Sequence, residues 1–73
     1  MPKLPRISGA EAQRALERLG FVKVRQSGSH VVMRRDAKGC VVPMHSELKV
    51  GTLAGVLRQA DVTPDEFIEA LRK

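Results

Sequence analysis

Aromatic side chains and thiols are scarce in this 73-residue chain, which has two Phe, no Tyr, no Trp and a single cysteine, Cys40. Two isolated rings argue against reading single-stranded bases on an aromatic platform. One thiol excludes an internal disulfide framework and fits a reducing, cytoplasmic compartment. No run approaches the ~18 consecutive apolar residues of a membrane span. The opening Met1-Pro2-Lys3-Leu4-Pro5-Arg6 lacks the apolar centre of a secretory signal. With one Cys and two His, no third or fourth ligand stands at zinc spacing, so neither a metal nor another cofactor is expected. Gly51-Thr52 lacks the preceding pattern and the lysine of a phosphate-binding loop. Asp65, Glu66 and Glu69 read as helix-terminal and solvated charges, not paired catalytic carboxylates.

What is present fits one small globular domain over residues 1–73, with 42% hydrophobic and 29% charged residues. A chain this short buries only about 60% of its unfolded surface, which favours function on an open face or shallow groove over an enclosed chamber. The charge is uneven. Residues 1–50 hold ten Lys/Arg against four Asp/Glu, a net of +6, whereas residues 51–73 hold three against four, a net of −1. The first two-thirds would attract a polyanion such as nucleic acid. Scattered surface cations on an ordinary soluble domain would produce the same totals.

Ser8-Gly9-Ala10-Glu11 is a capping box, and it opens a helix over roughly residues 9–19. Ile7 and Ala12 stand where a hydrophobic staple forms. Ala12, Ala15, Leu16 and Leu19 make one apolar stripe, with Glu11, Arg14, Glu17 and Arg18 on the wet side. Gly20 suits the left-handed residue after a helix. Three strands are expected next: Phe21–Gln26, His30–Arg35 and Cys40–His45. Ser27-Gly28-Ser29 forms the first turn, and Asp36-Ala37-Lys38-Gly39 a four-residue second turn with Gly39 at positive φ. Pro43 places the third strand at a sheet edge. Val50, Leu53, Ala54, Leu57 and Ala60, with Val56, form a second helical stripe. Thr63-Pro64-Asp65-Glu66 is a second capping box with Pro at the first helical position, stapled by Val62 and Phe67. Phe67, Ile68 and Leu71 bury the last short helix. The fold class is α+β: a three-stranded antiparallel sheet with helices on one face, in the order α-β-β-β-α-α. It resembles the double-stranded-RNA-binding domain.

A four-residue second turn pairs Arg35 with Cys40, so that paired positions sum to 75. One face then carries Val31, Met33, Cys40, Val42 and Met44, the core set. The other carries His30, Val32, Arg34, Val41, Pro43 and His45, with His30 directly opposite His45. Lys23 and Arg25 join that open face if Val22 and Val24 point inward.

His30 is the foremost candidate for chemistry. It follows Gly28-Ser29 at a turn-to-strand junction, among Lys23, Arg25 and Arg34. An imidazole, with an ordinary pKa of about 6.5, exchanges protons near neutral pH. RNA supplies its own nucleophile, the 2′-OH beside the scissile phosphate. A histidine base with cationic neighbours can therefore cleave RNA without a metal, leaving a 2′,3′-cyclic phosphate and a 5′-OH. His30 could equally be a polar residue closing a hairpin. His45 suggests an acid/base partner but is better read as structural or auxiliary. Cys40 falls on the face opposite both histidines and reads as a small buried hydrophobe; Met33 and Met44 read as core filler.

The ordered set Ser8-Gly9-Ala10-Glu11, Leu19-Gly20-Phe21, Arg25-Gln26-Ser27-Gly28-Ser29-His30, Val42-Pro43-Met44-His45, Leu48-Lys49-Val50-Gly51-Thr52-Leu53, Leu57-Arg58-Gln59-Ala60 and Asp65-Glu66-Phe67 resembles the HicA family. These are small toxin ribonucleases of toxin–antitoxin pairs. Gly28-Ser29-His30 alone is weak; the ordered set is specific and covers nearly the whole chain. The resemblance implies a double-stranded-RNA-binding-like fold and metal-independent, sequence-relaxed cleavage of mRNA, with His30 at the catalytic position. It also implies a HicB-type antitoxin covering the active face. Asp61 departs from the family's expected Gly, and Ala54-Gly55 from a more basic pair. A non-catalytic RNA-binding module or a protein-interaction module using the same basic face is the alternative.

Overall fold

The computed structural model describes residues 3–73. Helix α1 spans Gly9–Arg18, strands β1, β2 and β3 span Val22–Ser27, His30–Arg35 and Lys38–Pro43, and helices α2 and α3 span Val50–Ala60 and Pro64–Leu71. The sheet order is β1-β2-β3, all antiparallel, so β3 is an edge strand as Pro43 requires.

Both capping boxes form. The Ser8 hydroxyl accepts from the Glu11 N–H at 3.1 Å while Glu11 Oε1 accepts from the Ser8 N–H at 3.1 Å. Thr63 and Glu66 repeat the arrangement at 3.1 and 3.0 Å. These bonds favour the ionised carboxylates and hold both glutamates below their usual range. Asp61 ends α2 in the left-handed region at φ 58, ψ 43, the conformation for which glycine is the easiest residue, and Asp among the better-tolerated alternatives. Lys38 Nζ lies 3.8 Å from its carboxylate.

The core gathers Ala12, Ala15 and Leu16 of α1, Leu53, Val56, Leu57 and Ala60 of α2, and Phe67 and Ala70 of α3 onto Val31, Met33, Cys40 and Val42 of the sheet. Ile7 and Val62 close its ends as staples, while Ile68 and Leu71 are only half-buried. Val50 stands outside the apolar stripe of α2 and is 45% exposed. Gly9 lets the start of α1 lie against the end of β3: a Cβ there would collide with the Pro43 carbonyl oxygen.

The second hairpin is tighter than the expected one. Arg35 pairs with Lys38 across a two-residue turn, Asp36-Ala37, and paired positions sum to 73. Asp36 takes the positive φ, at 52, and Gly39 lies within β3 opposite Arg34. Asp tolerates the left-handed region well enough to close this turn, and the shorter loop lengthens the ladder. The shift from 75 to 73 is two residues, so every side chain keeps its face. It nevertheless separates the histidines: His30 pairs with Pro43, β3 stops there, and His45 lies beyond the sheet.

The first hairpin departs further. Phe21 is buried ahead of β1 and not part of it, with the Arg35 guanidinium 4.7 Å over its ring. Val22 and Val24, expected to point inward, are 59% and 50% exposed. The register shifts between Lys23 and Arg25, a β-bulge at Val24. Lys23 therefore stands opposite Met33, on the helix side, whereas Arg25 stands opposite Val32, on the open side. Every residue of this edge strand is exposed. A bulge at such an edge also hinders pairing with another chain.

Candidate functional site

The open face of the sheet is a grid of three cross-strand rows. The first is Ser27, His30 and Pro43; the second Arg25, Val32 and Val41; the third Val22, Arg34 and Gly39. Rows on one face are separated by two residues, roughly 6.6–6.8 Å of strand.

His30 begins β2 and is exposed. The turn before it is Gly28-Ser29, with Gly28 at φ 58 and Ser27 paired to His30. Gln26 Nε2 donates to the Gly28 carbonyl at 3.0 Å, and the Met44 N–H donates to the Ser29 carbonyl. The turn is thus tied from both neighbouring strands, and it delivers the imidazole to the rim of the sheet. The nearest cation in register is Arg25, diagonal to His30, a relation that puts Cβ atoms roughly 7–8 Å apart or slightly less. Arg34 is four residues along β2, about 13 Å away by strand rise, and so reaches a different part of an extended ligand.

The other candidates separate from this group. Lys23 faces the helix side of β1, where its ammonium donates to Gln26 Oε1 at 2.8 Å. The His45 carbonyl accepts the Gly9 N–H at 2.9 Å, joining the start of α1 to the end of β3, while the residue itself is exposed. Cys40 is 3% exposed on the core face, and burial pushes its thiol up to about 11. Among the described residues, no group of three or more His, Cys, Asp or Glu could hold a metal ion.

Several cations are committed to the fold. Arg18 donates to the Ala70 carbonyl at 2.9 Å and Arg35 to the Leu19 carbonyl at 2.8 Å; Lys38 pairs with Asp61, and Arg6 with Glu47 at 3.9 Å. Among the described residues, Arg25 and Arg34 make no side-chain hydrogen bond or ion pair and are exposed, so both guanidiniums face solvent on the open side.

Sequence reasoning passed over one residue here. Gln59 of α2 reaches the outer edge of β3, where its Oε1 accepts the Val41 N–H at 3.4 Å. With Val32, Arg34, Gly39, Cys40 and Val41 it lines a shallow open groove of about 470 Å³. No local pattern marks Gln59, because its significance arises only when α2 lies beside β3.

A sheet covered by helices on one side and open on the other, in the order α-β-β-β-α-α, places this protein among small α+β domains resembling the double-stranded-RNA-binding class. Residues 9–62 match the family model described as HicA toxin of bacterial toxin-antitoxin. That match covers most of the chain, which belongs to the HicA toxin family. None of the curated proteins matches it. No helix among the described residues is long and apolar enough to cross a membrane.

Proposed function

We propose that this HicA toxin is an endoribonuclease that cleaves mRNA on the open sheet face, with His30 as general base. The observation that carries the reading is an exposed imidazole at the sheet rim, diagonal to an unpaired Arg25, in a chain of this family. A ring nitrogen of His30 takes the proton of the ribose 2′-OH. The oxygen attacks the adjacent phosphorus, and the bond to the 5′-oxygen breaks. Solvent protonates the departing oxygen, leaving a 2′,3′-cyclic phosphate and a 5′-OH. Arg25 stabilises the charge that builds on the phosphoryl oxygens, and Arg34 holds the chain farther along. The nucleophile comes from the substrate, so this route requires no metal. Gly28 and Ser29 position the imidazole. Lys23, on the other side of the edge strand, contributes only to the long-range field that attracts RNA. The carbonyl of His45 serves the α1–β3 junction, and its imidazole is read as auxiliary. A HicB-type antitoxin occludes the same face.

The test is cleavage of mRNA in EDTA by wild-type and His30→Ala protein, with folding checked by circular dichroism. Loss of the cyclic-phosphate product in a folded variant is expected. Undiminished cleavage removes His30 from the mechanism. Salt-sensitive RNA binding without product by the wild-type chain would make it a binding module instead.

A further inference from the structure

The groove at the β3 edge differs in chemistry from the His30 end of the sheet. Gly39 stands opposite Arg34, where any other residue would place a side chain on the open face. Its missing side chain leaves a notch beside the guanidinium. Val32 and Val41, side by side in the neighbouring row, present methyl groups next to it. Gln59 closes the outer side. Because Oε1 accepts the Val41 N–H, the amide nitrogen is the group left to donate outward. The groove is shallow and open, about 470 Å³, so an occupant would keep one side in solvent. Val32 also lies two residues from His30 on the same face, so the groove continues the proposed cleavage site.

We propose that this groove is a nucleobase subsite for single-stranded RNA, which seats a base farther along the strand from the scissile phosphate and prefers one with keto acceptors, guanine first and uracil second. The inference rests on the RNA reading above. A base has a flat apolar face and a polar edge. The valine methyls suit the face, which leaves the Arg34 guanidinium to donate to the edge. The side-chain groups at the edge are turned to donate: arginine has no acceptor, and Gln59 directs its oxygen to the Val41 N–H and leaves its amide nitrogen outward. Guanine presents N7 and O6 acceptors side by side, whereas adenine and cytosine offer an amino donor that meets no side-chain acceptor here. The mainly positive charge of residues 1–50 favours RNA over an acidic-poor peptide as the occupant.

Wild-type protein is titrated with short 2′-O-methyl oligoribonucleotides that cannot supply the nucleophile and differ at one base within a constant cytidine run. Amide and side-chain NMR signals report the contact. The expected result is a base-dependent shift at Gly39, Val41 and the Gln59 side-chain amide, with guanosine bound about tenfold more tightly than cytidine or adenosine. Gly39→Val fills the notch; its Cβ would make ordinary contacts with the Met33 carbonyl oxygen at 3.5 Å and Arg34 Cγ at 3.6 Å. Gln59→Leu removes the donor from an exposed helix position. Each variant should erase most of the base preference. Shifts confined to the His30 end, a preference for adenosine or cytidine, no RNA binding at all, or variants that keep the wild-type preference each overturn the subsite. Groove shifts with base preference in a protein that fails to cleave unmodified RNA retain the subsite and remove the catalytic reading. Cleavage with an unperturbed groove does the reverse.

Discussion

The two faces of this sheet come from alternate residues of the same three strands, yet they obey different rules. On the helix side, Val31, Met33, Cys40 and Val42 are between 0 and 3% exposed, and their identities answer to packing. On the other side, His30, Arg25 and Arg34 are exposed and answer to whatever approaches from solvent. A domain this small cannot cover both faces of a sheet with three short helices. The uncovered face is where unpaired cations and an accessible imidazole can be held without desolvation. Stability and the proposed chemistry are thus divided between the faces, not between regions of the chain.

The sharpest test of that division is a pair of substitutions on opposite faces of β2. His30→Ala should lower RNA cleavage by about 10²–10⁴-fold, the usual contribution of a general base, while leaving the melting temperature nearly unchanged. Met33→Ala should cost about 2–5 kcal/mol in denaturant unfolding, a large share of what so small a domain possesses. A His30 variant that unfolds, or a Met33 variant that melts normally, would dissolve the distinction.

The edge strand sharpens it further. Val31→Lys should prevent folding, whereas Val24→Lys should change stability by no more than about 0.5 kcal/mol, since Val24 sits at an exposed bulge. Arg25→Ala should weaken RNA binding and flatten its salt dependence more than Lys23→Ala, because only Arg25 faces the proposed track. Filter binding across a salt series measures both slopes.

The smallest effects concern protons. Glu11 and Glu66 have carboxyls held low by their capping bonds, so their stabilisation is fully present above the unfolded value near 4.5 and is lost as pH falls through the lower folded value. An E11Q/E66Q variant should therefore show a flatter acid limb in pH-dependent unfolding. Cys40 carries the opposite sign. Its thiol is raised to about 11 from an ordinary 9.0, so its contribution is lost above pH 9 as the unfolded chain ionises first. At pH 8 the native thiol should react with a thiol reagent only as fast as the protein opens.

Local chemistry made much of this legible. The capping boxes at Ser8 and Thr63 mark helix starts because their bonds span only three residues. The core set of β2 and β3 follows from alternation, and it survived the register change because a two-residue shift preserves the face. What escaped were features set by distant neighbours. The inward reading of Val22 and Val24 assumed unbroken alternation along β1, and the bulge turns Val22 to the open side opposite Arg34. The opposition of His30 and His45 assumed a glycine turn, whereas Asp36 closed a tighter one. Gln59 gained its place only when α2 settled beside β3.

By itself, the order of residues determined the helices, the strands, the core face and the candidate base, because these depend on periodicity and on bonds between near neighbours. Tertiary structure alone decided which cations share the face of His30 and where a groove opens beside it. A bulge, a turn length and the reach of a helix are settled by competition among contacts far apart in the chain.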